Sequence, residues 1–123
     1  MSRDRRLRAS EEFRLVYANG RRYDTRWFTV FIIPGAFANH RLGVTASYKA
    51  VGGSVDRNRA KRILRELFRL STAELETMAL KYDWVLNAKR SLLVSKAEDR
   101  FAEFSKIIQQ IAKTEASAKL TAQ

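Results

Sequence analysis

The chain has 123 residues, 46% of them hydrophobic and 11% aromatic, enough for one folded domain with a modest core and too apolar for a chain disordered throughout. Its 24 Lys and Arg against 13 Asp and Glu leave a formal charge of +11, so a polyanion is the expected partner. The lack of cysteine excludes disulfides and thiolate metal sites, and the single histidine, His40, excludes any site that needs two.

The opening residues, Met1-Ser2-Arg3-Asp4-Arg5-Arg6-Leu7-Arg8, are basic, but Glu11 and Glu12 stand where a secretory signal would carry its apolar stretch. Trp27 to Ile33, the longest nearly apolar run, is far below the roughly 18 residues of a membrane span. Export and membrane insertion are not expected, and the cysteine-free composition suits the cytoplasm.

Residues 1–9 hold four arginines without apolar periodicity and are expected to form a flexible basic arm ahead of a single domain over 10–113. Ser10 is the expected N-cap of a helix over 10–19, with Glu11 and Glu12 in its first turn and Asn19-Gly20 as its stop. Phe13, Val16 and Tyr17 share one face of that helix, which gives it an aromatic edge. Trp27 to Ile33 reads as a strand ended by Pro34-Gly35, and Arg41 to Ser47 as a second, with a hairpin as the simplest connection. Alternation places Phe28, Val30, Ile32, Leu42, Val44 and Ala46 on a core face. The other face carries Trp27, Thr29, Phe31 and Ile33, then Arg41, Gly43, Thr45 and Ser47, with Lys49 just beyond.

Gly52-Gly53-Ser54 turns into a second helix of about 55–70, whose apolar side is Ala60, Ile63, Leu64, Leu67 and Phe68. Tyr82 to Ala88 reads as another strand, with Tyr82 and Trp84 in the core. Ala97, Phe101, Phe104, Ile108 and Ile111 give a third helix over about 95–113. Residues 114–123 are small and polar and are expected to fray. Helices and strands interleave without regular alternation, which predicts an α+β sandwich.

The charge concentrates on the second helix. Arg57, Lys61, Arg65 and Arg69 lie in an i, i+4 row, with Asn58 and Arg62 in the neighbouring row and Arg59 farther round. Only Asp56 and Glu66 are near enough to offset them, whereas the third helix matches Lys96, Arg100 and Lys106 with Glu98, Asp99 and Glu103. The first pattern is that of a phosphate-binding stripe, the second of a solvated face. Sixteen arginines against eight lysines reinforce this, because guanidinium grips phosphate oxygens in two-pronged fashion and stacks on bases. On the open sheet face, small polar residues around Phe31 leave room for bases to stack while Lys49 and Arg41 meet phosphates, the pattern of a single-strand groove.

No catalytic constellation stands out: there is no paired histidine, cysteine or tight carboxylate cluster, so neither catalytic nor metal-binding residues are assigned. Asp56 reads as a helix-dipole acid, and His40, in a Gly-Ala-Asn loop, as a solvated surface residue. A DNA-binding helix-turn-helix or basic-zipper protein is disfavoured by the lack of a preceding short helix and of heptads. A ribosomal or architectural RNA-binding protein would use the same basic helix without needing an aromatic sheet face.

Arg57-Asn58-Arg59-Ala60-Lys61-Arg62-Ile63-Leu64-Arg65-Glu66 resembles the Arg-Asn-x-x-Lys-Arg-x-x-Arg signature of the protein component of bacterial ribonuclease P. Arg41-Leu42-Gly43-Val44-Thr45, the helix from Ser10 to Gly20, and Tyr82-Asp83-Trp84-Val85 with Ala88-Lys89 are similar to its neighbouring segments, so the resemblance covers roughly residues 5–111. It implies an α+β sandwich with a left-handed βαβ crossover and a role as protein subunit of a ribonucleoprotein endonuclease that removes the 5′ leader from precursor tRNA. The RNA subunit would carry the catalysis, with Mg2+ held mainly by RNA and one protein to each RNA. By matching positions, Arg57, Asn58, Arg59, Lys61, Arg62, Arg65 and Arg69 would contact that RNA, and Phe13, Tyr17, Thr29, Phe31, Ser47 and Lys49 would line the leader cleft. Tyr48 stands where the family often has a second basic residue beside Lys49, which implies fewer basic contacts there or stacking in place of one.

Overall fold

The computed structural model describes residues 5–121. Four strands form one mixed sheet in the order β1-β2-β4-β3, with β1 at Arg21–Asp24, β2 at Phe28–Pro34, β3 at Arg41–Thr45 and β4 at Tyr82–Ala88. The helices are α1 Ser10–Asn19, α2 Tyr48–Val51, α3 Ser54–Leu70, α4 Thr72–Leu75 and α5 Ala97–Thr121, with a 3-10 turn at Arg90–Val94. None of these helices is long and apolar enough to cross a membrane.

The expected hairpin between the two early strands does not form. β4 inserts between β2 and β3, antiparallel to the first and parallel to the second. A central strand is covered on both faces, and β4 suits that place: Tyr82, Trp84 and Leu86 are buried on one side, and on the other Val85 is buried beside Asp83, whose carboxylate is paired with Arg41. β2 instead forms its hairpin with β1, whose Arg21-Arg22-Tyr23-Asp24 sequence, exposed except for Tyr23, gives little strand signal. Thr25 closes that turn: its Oγ1 accepts from the Phe28 backbone N–H and donates to the Phe28 carbonyl. β3 reaches parallel β4 through α2, α3 and α4, so the chain makes its crossover over one face of the sheet.

That face holds the main core. Phe28, Val30, Ile32, Leu42, Trp84 and Leu86 from the sheet meet Ala60, Leu64, Leu67 and Phe68 of α3 and Phe104, Ile108 and Ile111 of α5, with Trp27 packed at its margin. Trp84 lies edge-on to Phe68 and Phe104, with ring centroids 5.8 and 5.5 Å away. The opposite face carries a smaller cluster of Leu7, Val16 and Val85, with Phe13, Phe31 and Ile33 packed against it. α1 therefore lies across the sheet from α3 and α5.

Three local expectations change. Ala9, not Ser10, is the N-cap of α1; Glu12 reaches back so that its Oε1 accepts the Arg8 and Ala9 backbone N–H groups at 2.9 and 3.1 Å. Within the described part of the arm, Leu7 is buried and its N–H donates to the Leu42 carbonyl, so apolar burial ties this segment beside β3; residues 1–4 lie outside the described residues. α5 continues past residue 113 to Thr121, because Glu115 accepts from the Ala79 and Leu80 backbone N–H groups and the Tyr82 hydroxyl, anchoring the start of the stretch expected to fray; residues 122–123 lie outside the described residues.

His40 is the fourth change, being buried rather than solvated. Its Nδ1 accepts from the Tyr82 backbone N–H at 3.0 Å and the Trp84 indole N–H at 3.1 Å, so the ring proton sits on Nε2 and donates to the Leu75 carbonyl at 3.1 Å. Burial, the largest influence, holds its pKa below the ordinary 6.5, and a proton on Nδ1 would also face two donors. The unfolded chain thus binds a proton that the folded chain refuses, and stability is lost as pH falls below about 6.5. Urea unfolding between pH 5 and 7.5 should show this loss, and His40→Phe should reduce it while lowering stability at pH 7.5 by about 1–3 kcal/mol for the abandoned donors.

Candidate nucleic-acid interface

The position of α1 is set by one guanidinium. Arg41 Nε and Nη2 donate to the two Asp83 oxygens at 2.9 and 2.8 Å, its Nη1 donates to Glu12 at 2.5 Å, and the group stacks 4.0 Å from the Phe37 ring centroid. The Asp83 bonds above all raise the Arg41 pKa, and the backbone donor of Arg8 leads those that lower that of Glu12. Arg41 is thereby withdrawn from phosphate contact, contrary to the expectation that it would line the groove. Its work is to tie α1 to β3 and β4.

With α1 fixed, Phe13 and Tyr17 lean over β3 and β4. Phe13 lies directly on Gly43, where any β-carbon would collide with the ring. Tyr17 meets Phe31 edge-on at 5.0 Å and donates its hydroxyl to Asn87 Oδ1 at 2.8 Å. Between α1 and α3 runs a groove of about 640 Å³ lined by Arg6, Leu7, Arg8, Phe13, Leu42, Gly43, Val44 and Arg65. Burial and then the nearby charge of Arg6 lower the Arg65 pKa. Three guanidinium groups and the Phe13 ring therefore line one groove, a combination that can meet both the charge and the flat rings of an anion such as a nucleotide.

The expected cleft residues divide. Phe13, Tyr17 and Phe31 come together on the α1 face. Ser47 and Lys49 are exposed just past the end of β3, where Ser47 Oγ accepts the Ala50 N–H and caps α2. Tyr48 is 72% exposed beside Lys49 and free to offer its ring. Thr29 is different: it is buried, and its hydroxyl donates to Asp24 at 2.7 Å, so it supports the floor without presenting a group. Arg6, Arg8 and Asn87 were not singled out by sequence. The two arginines were hidden in the apparent arm, whereas Asn87, two residues from Val85 on the same strand face, was findable from alternation.

On α3 the basic residues also divide. Arg57 and Lys61 are half-buried, and Arg57 Nε is buried with no hydrogen-bond partner in the described structure. Arg65 opens on the cleft described above. Asn58, Arg59 and Arg62 are exposed; Arg59 donates to the Leu93 carbonyl at 3.3 Å, and Arg62 borders a second groove of about 270 Å³ with Ile63, Leu67, Arg100 and Phe101. Arg69 is engaged with Glu66, which leaves it less free than the others. Gly52, at φ 125°, makes the left-handed turn that starts this helix where it does. Among the described residues there is no cluster of three or more His, Asp or Glu side chains that could hold a metal.

The family model for ribonuclease P matches residues 1–112. The chain belongs to the ribonuclease P protein family. It is 41% identical over 87 residues to the ribonuclease P protein component of Methylococcus capsulatus, an alignment spanning 71% of this chain and 65% of that protein. It is 39% identical over 89 residues to the component from Clostridium botulinum, covering 72% of this chain and 78% of the relative. The solved ribonuclease P protein of Staphylococcus aureus superposes with a TM-score of 0.69 at 25% identity, over 89% of this chain and 95% of that one. That of Thermotoga maritima, at 23% identity and a TM-score of 0.64 over 88% and 96%, shares the fold.

The ionic tie of α1 is open to measurement. Glu12→Ala removes the acceptor for two backbone N–H groups and one partner of Arg41, and urea unfolding should show a loss of about 1–3 kcal/mol. A loss within 0.5 kcal/mol, roughly the level of a surface substitution, would mean that α1 is held by its apolar contacts alone.

Proposed function

We propose that this chain, as the protein component of ribonuclease P, works by placement. Its exposed basic side chains on α3 hold the catalytic RNA, and the aromatic cleft beside α1 captures the 5′ leader of precursor tRNA. The observation that carries this reading is the presence of two surfaces: guanidinium groups along α3, and Phe13, Tyr17 and Phe31 gathered on the other face of the sheet, with Arg65 at the groove where the two meet. A protein that only coats RNA needs the first and not the second.

Arg57, Asn58, Arg59, Lys61, Arg62 and Arg65 are the contacts proposed for the RNA subunit, with Arg69 adding charge while bound to Glu66. Phe13, Tyr17, Phe31, Ser47 and Lys49 are proposed for the leader, with Thr29 acting through its support of the floor. Ring stacking accepts any base and cations follow the backbone, so the cleft would align the scissile bond without supplying a nucleophile. The RNA subunit would perform the hydrolysis with Mg2+ held mainly by RNA, in the cytoplasm, with one protein to each RNA. Protein freed of RNA is expected to leave precursor tRNA uncut.

Two measurements on the reconstituted holoenzyme test these assignments. Replacing Phe13, Tyr17 and Phe31 by leucine should weaken leader-bearing precursor at least tenfold, with little change for mature tRNA; equal losses on both would remove the leader from the cleft. Arg62→Gln with Arg65→Gln should flatten the plot of log affinity for the RNA subunit against log salt by about 1–2 in slope, since each phosphate contact contributes about 0.7–0.9. An unchanged slope would mean that these two side chains do not meet phosphate.

A further inference from the structure

The sheet face that α1 leaves open has a polar residue at its centre. Asn87 on β4 lies in register with Thr29 on β2 and Thr45 on β3. Its Oδ1 accepts from the Tyr17 hydroxyl at 2.8 Å and from the Thr45 hydroxyl at 2.6 Å. The shorter distance suits O–H···O and is too short for N–H···O, and no other acceptor serves either hydroxyl among the described residues. Both hydroxyls therefore donate, which fixes the orientation of the amide.

Two donors fill both lone pairs of Oδ1, so Asn87 can accept nothing more. Its Nδ2 hydrogens have no partner among the described residues, in a half-buried side chain beside the Tyr17 ring. Thr29, the remaining hydroxyl on this part of the floor, is committed to Asp24. What is left is a donor with no acceptor beside it, held rigidly next to an aromatic ring. An asparagine with a free amide reads adenine by donating and accepting together, and here the accepting half is already used.

We propose that Asn87 determines specificity for the leader, its Nδ2 donating to a keto oxygen of the base that lies against Tyr17. The proposal rests on the leader reading above. Uracil and guanine, which present O4 and O6, would be favoured at one leader position over cytosine and adenine, which present amino groups there. A neutral hydrogen bond of this kind corresponds to roughly a three- to tenfold preference.

The test uses the reconstituted holoenzyme and precursor tRNAs carrying each of the four bases at each leader position, together with a leaderless tRNA. Wild type should show one position where U and G bind about three- to tenfold more tightly than C and A. Asn87→Asp keeps acceptor oxygens for Tyr17 and Thr45 but loses the donor, and it should reverse that preference toward C and A, whatever uniform loss its charge brings. Tyr17→Phe frees one lone pair of Oδ1 and should narrow the preference; it also serves should Asn87→Asp not fold, as judged by circular dichroism. If leader-bearing precursor binds more tightly than leaderless tRNA but the four-base profile is flat in wild type, or unchanged in both variants, the Asn87 assignment fails and the leader reading stands. If the leader adds nothing to wild-type binding, both fail.

Discussion

Arg41 is the constraint on which the cleft depends. Its guanidinium joins β3 to β4 through Asp83 and joins both to α1 through Glu12, with only 11% of its side chain exposed. A buried ion pair is a poor source of net stability, because desolvation offsets most of its attraction. Its value here is positional. The small cluster under α1 consists mainly of Leu7, Val16 and Val85, and apolar contacts of that size would let a short helix slide or rotate. A planar, three-way hydrogen-bonded group does not permit that freedom, so Phe13 arrives over Gly43 and Tyr17 over Asn87.

α3 shows the opposite balance, with function imposed on a helix that packing has already secured. Each like-charged i, i+4 pair on its outer side costs about 0.2–0.5 kcal/mol. On its inner side, Leu64, Leu67 and Phe68 are buried, and each such side chain contributes about 1.5–3 kcal/mol. The core therefore outweighs the repulsion, and the helix can carry unneutralised charge to a partner. Where relief exists, as in the Arg69 pair with Glu66, it falls in the last turn and leaves the earlier arginines available.

Much of this was legible in the residues, and the failures share a physical origin. Helix periodicity located α3 and the start of α5, and alternation assigned the buried faces of β2 and β3. Pairing was not legible, because the insertion of β4 between β2 and β3 is decided by which strand can be covered on both sides, and for β4 that depends on Arg41 pairing with Asp83, a partner 42 residues away. His40, Arg41 and Glu115 were misjudged for a related reason: a polar residue reads as exposed until its partners are known, and these are 35 or more residues away for His40 with Leu75, Arg41 with Asp83, and Glu115 with Leu80. In the cleft, the aromatic side chains were visible from helix and strand periods, whereas Thr29 was misplaced because its bond to Asp24 requires β1, a strand too polar to foresee.

The cleft itself follows from a mismatch of lengths. A ten-residue helix such as α1 is about 15 Å long at 1.5 Å per residue, whereas a seven-residue strand such as β4 spans about 23 Å and four strands side by side span nearly 20 Å. One helix of that size cannot cover the sheet, while α3 and α5 together cover the opposite face. An ordinary domain would fill the gap with a further helix or make the exposed face wholly polar. This one places rings, hydroxyls and one oriented amide at the edge of the covered zone and arginines along its rim, so the missing cover is a surface matched to flat, negatively charged polymer.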